Sequence, residues 1–205
     1  METEKFYHIY NHANGNENLF REEENYRFFL QQWDKYISPI GVTYAYCLMP
    51  NHIHFLVQIK NDIEILNLVG FESEKLHLTG FQNLSGVSST KISKCFSNLF
   101  NSYAKAFNNS YNRKGSLFHR PFKQKEITSE EFLKTLVCYI HRNPIHHGFC
   151  TDFTEWKYSS YHSYLSDKSS KIERNYILDL FDGKENFIEA HQQYIEPLDS
   201  ELFLE

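Results

Sequence analysis

Residues 41–59, GVTYAYCLMPNHIHFLVQI, read as two β-strands folded back on one another. Val, Tyr, Ile, Phe and Leu dominate 41–49 and 53–59, and Pro50-Asn51 between them supplies a tight connection. The pair predicts antiparallel neighbours at the centre of a sheet. Strand side chains alternate faces, so His52 and His54 project together while Ile53, Phe55 and Val57 take the other side. Two imidazoles on a stiff strand offer two nitrogen ligands, which suit Mn, Zn, Fe or Ni, and Mg less readily. The same pattern also describes two half-exposed strand histidines that bind nothing.

Outward from this pair, FYHIYN (6–11) reads as a strand, and HANGNEN after it carries an Asn-Gly turn signal. From Glu22 to Ile37, Tyr26, Phe29, Leu30, Trp33 and Ile37 recur at three and four, an amphipathic helix ended by Pro39. Residues 61–90, with three glycines and a serine run, read as an insertion or a mobile loop and receive no function. Ile92, Cys95, Phe96, Leu99, Phe100, Tyr103, Ala106 and Phe107 then mark a long helix over about 90–109. PFKQKEI predicts a further strand, and Thr128 with Glu131 a capping box that opens a helix from 129 to about 142, closed by Pro144. The domain reading is 1–165 as one unit and 166–205 as a C-terminal extension with two short helices.

With 205 residues, 41% hydrophobic, 8 Gly and 5 Pro, the chain is long and apolar enough to fold, which excludes collagen-like and disordered classes. It has neither a secretory leader pattern nor an apolar run able to span a membrane. Its four cysteines form no C-x-x-C pair, so they read as reduced fillers in a cytoplasmic protein. A net charge of −5 argues weakly against a polyanionic partner, but the distribution reverses that argument. Lys91 to Lys125 holds eight basic residues and no Asp or Glu, while the rest of the chain carries all 26 acidic side chains. Such segregation is an electrostatic footprint for nucleic acid, the plainer reading being a solvated helix face and a basic loop.

A metal held by two histidines needs a further ligand, and a reaction needs a nucleophile. In the helix from 129, Phe132, Leu136, Tyr139 and Asn143 share one stripe, so Tyr139 and Asn143 lie one turn apart, about 6 Å along the axis. If that stripe packs on the sheet, a phenol and an amide oxygen arrive together above the histidines. The amide could complete a metal shell while the metal activates a phosphate beside the phenol. The alternative is a core tyrosine and a helix C-cap before Pro144. Tyr103 is a rival nucleophile, although its i+4 neighbour Phe107 cannot bind a metal.

The strand CLMPNHIHFLV, then SLFHRPFK, the helix end YIHRNPIHHG and WKYSSYHSYL, in this order, resemble the single-tyrosine transposases of the HUH superfamily, and most nearly the REP-associated tyrosine transposases. The resemblance covers about residues 5–165, is most specific at LMPNHIH and YIHRNP, and fails over 61–90 and the C-terminal region. The opening FYHIYNHANGNENLF is similar too, with His12 where the family commonly has Arg. It implies an α+β fold, a ferredoxin-like or RRM-like antiparallel sheet with helices packed on one face. It also implies His52, His54 and Asn143 as ligands of a divalent metal, Mg²⁺ or Mn²⁺, and Tyr139 as the nucleophile. The activity implied is cleavage and rejoining of hairpin-bearing single-stranded DNA through a 5′-phosphotyrosine. Lys105, Arg113, Lys114, Arg120 and Lys123 are then candidates for phosphate contacts, with Phe118 or Tyr111 stacking on bases. Relatives act as dimers or monomers, which leaves a homodimer open. A domesticated, non-cleaving binder of structured DNA or RNA and a water-using phosphoesterase are the competing readings.

Overall fold

The structure is a computed structural model and describes residues 1–67 and 82–194. The central part of the proposed 61–90 insertion and the chain beyond Tyr194 lie outside the described residues. Four strands form one antiparallel sheet: β1 (Phe6–His12), β2 (Gly41–Leu48), β3 (His52–Ile59) and β4 (Lys123–Ile127), in the order β2-β3-β1-β4. Helix α1 (Glu23–Tyr36) connects β1 to β2. Between β3 and β4 run α2 (Asp62–Asn67) and the long α3 (Gln82–Ser110). This succession and strand order are those of a ferredoxin-like fold. Downstream come α4 (Glu130–His146), α5 (Tyr161–Leu165), α6 (Asn175–Leu180) and α7 (Lys184–Gln193). Among the described residues no helix is long and apolar enough to cross a membrane.

Period-two alternation sorts the strands into two cores. Tyr7, Ile9, Ile53, Phe55 and Val57 face α1 and α3, where Phe29, Trp33, Phe96, Leu99 and Tyr103 are buried against them. The Trp33 ring stacks on Phe55 at 3.5 Å between centroids, and its Nε1 donates to Thr43 Oγ1 at 2.9 Å. Such a pair contributes about 0.5–1.5 kcal/mol beyond its buried area. Gly41 is required where β2 starts, because a Cβ there would lie 2.8 Å from Val57 Cγ2.

The expected helical layer is therefore present on one face. The opposite face, which carries the histidines, is covered as well: Leu133, Leu136, Val137 and Ile140 of α4, with Ile177 and Phe187 of the C-terminal helices, build a second core over Ala45, Cys47 and Leu56. A bulge between Thr43 and Ala45 shifts the register of β2 and brings Cys47 opposite His54.

Two local expectations are corrected. The cap of α4 is Ser129, whose side chain accepts from Phe132 N at 3.2 Å, one residue later than the expected Thr128. Pro144 does not close α4, which continues to His146 with the proline inside. Asn143 is fully buried against β3, and that tertiary contact outweighs the local bias against helical geometry before proline. The capping amide of His147 bonds Asn143 O, and Phe149 N bonds Pro144 O at 2.8 Å.

Candidate active site

β3 and α4 bring His52, His54, Tyr139 and Asn143 together. His52 opens β3 and His54 follows two residues later, so both stand on the face that α4 covers. Asn143 Oδ1 reaches to 3.1 Å from His52 Nε2. The Tyr139 ring meets His54 edge-on at 5.6 Å between centroids, one helical turn before Asn143. Relative exposures are 0% for His52 and Asn143, 1% for His54 and 6% for Tyr139, so the constellation is closed to solvent. The His146 ring stacks on Tyr139 at 5.8 Å.

The hydrogen bonds fix a tautomer at His52. Its Nδ1 lies 2.7 Å from Asn51 Oδ1, an atom that only accepts, so Nδ1 carries the proton and Nε2 presents a lone pair. That lone pair faces a second acceptor, Asn143 Oδ1, while Asn143 Nδ2 is buried without a hydrogen-bond partner. Exchanging the two amide positions would let Nδ2 donate to the His52 lone pair but leave the amide oxygen buried without a donor, so in either orientation one polar atom of Asn143 lacks a partner. Two acceptors confronted in a buried space fit a cation better than each other. Donors about 2.1 Å from an octahedral divalent ion, at right angles, stand about 3 Å apart, which matches this pair. The donor set therefore fits a hard or borderline divalent metal. Among the described residues no group of three or more His, Cys, Asp or Glu side chains is arranged to hold a metal, so the amide is an essential member of the candidate set. Cys47 lies opposite His54, but burial pushes its thiol well above the ordinary range and keeps it protonated.

Two histidines of β1 that the sequence did not mark as site candidates, His8 and His12, lie beside these residues. His8 is 2% exposed and its Nε2 lies 2.9 Å from His54 Nδ1. His12 pairs with His52 in the sheet register and stacks on it at 4.6 Å, nearly parallel, while His147 packs against the His52 ring at 4.3 Å. The signal available was the alternation His8, Tyr10, His12, which puts three polar rings on one strand face. On that face the rungs of the sheet run Lys125, His8, Leu56 and Lys123, Tyr10, His54, so the lysines of the edge strand stand on the histidine side.

On the far side of α4, His141 enters a hydrogen-bonded network inside the second core. It is fully buried, with Nδ1 2.8 Å from His191 Nε2 and Nε2 2.8 Å from Ser160 Oγ. His191 Nδ1 donates to Phe187 O at 2.7 Å, so its Nε2 accepts from His141. Burial keeps both imidazoles neutral, holding His191 at about 4 and His141 well below the usual range.

The other candidates separate by exposure. Tyr103 is 1% exposed, donates its hydroxyl to Leu19 O at 2.5 Å, and has its acidity suppressed by burial. It is a core tyrosine on the face of the sheet opposite the histidines. Lys105, Lys114, Arg120 and Lys123 are exposed. Arg113 is engaged within the protein, Nε donating to Glu17 Oε1 at 2.8 Å and Nη2 to Ser116 O at 3.0 Å. Phe118 is buried in the first core and is not presented for stacking on a base, whereas Tyr111 is half-buried, with its hydroxyl bound by Glu22 and Asn25 and the Arg21 guanidinium over its ring.

No protein-family model matches the chain. A curated protein of Haemophilus influenzae named "Putative REP-associated tyrosine transposase" is 26% identical over 121 residues, which is 58% of this chain and 58% of that protein. The chain thus matches somewhat over half the length of that relative. The solved structure of a REP-associated tyrosine transposase bound to a REP hairpin superposes with a TM-score of 0.50 at 14% identity, over 82% of each chain. In sequence and in fold, this chain is similar to the REP-associated tyrosine transposases.

Proposed function

We propose that the chain is a metal-dependent DNA strand transferase that cleaves and rejoins hairpin-bearing single-stranded DNA through Tyr139. The observation that carries this reading is the seating of Tyr139 and Asn143, one turn apart on α4, against His52 and His54 on β3. The hairpin is taken from the solved neighbour, which was bound to one, and the exposed basic residues Lys105, Lys114, Arg120 and Lys123 are consistent with contacts to a phosphate backbone.

In this mechanism the Tyr139 oxygen attacks a backbone phosphorus. The Oη–P bond forms, the P–O3′ bond breaks, and the phenolic proton is lost as the departing oxygen becomes a 3′-OH. His52, His54 and Asn143 would hold a divalent ion, Mg²⁺ or Mn²⁺, which supplies withdrawal of charge from the phosphate oxygens. The 5′-phosphotyrosine is resolved when another 3′-OH attacks its phosphorus: the new P–O3′ bond forms, the P–Oη bond breaks, and the phenol is regenerated. The bond energy is kept in the link, and the reverse step needs no nucleotide triphosphate.

The closed state of Tyr139 favours one second reading, a binder of structured nucleic acid that does not cut. The two are separated by incubating the protein with hairpin-bearing oligonucleotides drawn from its own flanking DNA and Mg²⁺ or Mn²⁺, then denaturing. A covalent protein–DNA adduct lost in Tyr139→Phe and kept in Tyr103→Phe is the expected result. Tight hairpin binding without an adduct in either metal would overturn strand transfer in favour of the binder. Cleavage that persists in Tyr139→Phe would point to water as the nucleophile.

A further inference from the structure

The 2.9 Å contact between His8 Nε2 and His54 Nδ1 is buried and joins neighbouring strands. One proton lies between the two nitrogens, and its owner decides what His54 can do. If His54 Nδ1 donates, His54 Nε2 keeps a lone pair and can ligate a metal. If His8 Nε2 donates instead, the neutral His54 carries its own proton on Nε2 and ligates nothing there. We infer that His8 is a positioning residue for the metal centre: its Nε2 accepts from His54 Nδ1, which fixes the His54 tautomer and aims Nε2 at the space beside Tyr139 and Asn143.

Three observations support the assignment. His8 and His54 lie on the same sheet face, with ring planes only 20° apart at 5.1 Å, so the contact is an in-plane hydrogen bond between adjacent strands. Tyr10 lies against both rings, 4.8 Å from His8 and 5.9 Å from His54 between centroids, which restrains their rotation. At His52 the same task falls to Asn51, whose Oδ1 accepts from Nδ1 and leaves Nε2 toward Asn143. Each candidate ligand imidazole thus has an outer partner on Nδ1, the arrangement by which proteins orient metal-binding histidines, where loss of the partner costs about 10- to 100-fold in metal affinity.

This inference rests on the proposed metal site, and the test separates the two. Mn²⁺ binding would be measured by electron paramagnetic resonance for the whole chain and for His8→Phe, His8→Gln and His52→Ala. The His54 tautomer would be read in parallel from ¹⁵N-histidine NMR of the metal-free protein. Expected are wild-type binding abolished by His52→Ala, a loss of about 10- to 100-fold in His8→Phe, and partial rescue by His8→Gln, whose amide oxygen can accept the same proton. His54 should carry its proton on Nδ1 in the wild type and lose that preference in His8→Phe. A fold defect in His8→Phe would show in its circular dichroism, and the His54 tautomer of the wild type, read by NMR, then carries the test. Unchanged Mn²⁺ affinity and tautomer in both His8 variants would overturn the role of His8 alone. A wild type that binds no Mn²⁺ would overturn the metal site and this inference with it, and a His54 proton on Nε2 would overturn the inference directly.

Discussion

Asn143 Oδ1 and His52 Nε2 stand 3.1 Å apart, two acceptors facing across the junction of α4 and β3, with Asn143 Nδ2 buried and unpartnered. An amide so placed costs stability, since an unmet buried polar atom is unfavourable by about 1–3 kcal/mol. Asn143→Leu removes that atom at similar volume. The metal-free variant should match or exceed the wild type in melting temperature while its Mn²⁺ affinity falls by tenfold or more. Thermal denaturation without metal and a binding titration check the two halves. Marked destabilisation with intact Mn²⁺ binding would make Asn143 a structural residue.

Arg113 and Lys123 both belong to the basic segment, but they stand in opposite situations. Arg113 donates to Glu17, Asn108, Gly115 and Ser116, holding the turn after α3 to the loop after β1. Lys123 is exposed on the edge strand, on the histidine side of the sheet. Arg113→Ala should lower stability by about 1–3 kcal/mol. Lys123→Ala should leave the melting temperature unchanged and weaken hairpin binding, reducing the salt slope by about one counterion. Denaturant titrations and hairpin affinities at several salt concentrations distinguish them.

The His141–His191 pair predicts acid sensitivity. His191 is held at about 4, below the ordinary imidazole value, chiefly by burial. The unfolded chain therefore takes up a proton near pH 6.5 that the folded chain refuses until near 4. This contribution to stability is complete above 6.5 and is lost progressively as the pH falls toward 4. Between pH 7 and 5 the loss attributable to His191 is about 2 kcal/mol, and His191→Gln should show a correspondingly smaller drop. Urea unfolding at the two pH values measures it.

Much of the fold was legible because its signals are local. The strands at 6–11, 41–49 and 53–59 and the helix at 22–37 announce themselves by period two or by three and four, and the structure places each within a residue or two. The meeting of Tyr139 and Asn143 with the histidines follows from one helical turn and one strand pleat. What the sequence hides depends on neighbours in space. His8 and His12 gain meaning only when β1 lies beside β3, and His141 only when α7 returns to it. Phe118 looks like a surface ring beside Arg120 until α3 closes over it, and the helix through Pro144 persists because burial of Asn143 outweighs a local preference.

The two outer strands of the sheet are finished by different means. Along β2, Tyr46 and Leu48 exchange backbone hydrogen bonds with residues 158–160, so that edge is occupied by the chain itself. β4 pairs with β1, and among the described residues no strand pairs with its other side; KQKEI instead carries two lysines there. The exposed Lys123 on such a strand discourages another chain from adding to it, while Lys125 is half-buried over the Phe132 ring. The side chain that makes this border attractive to a polyanion is thus also its guard against self-association. Selection for either property would preserve the same positive charge, and an apolar replacement at Lys123 would surrender both at once.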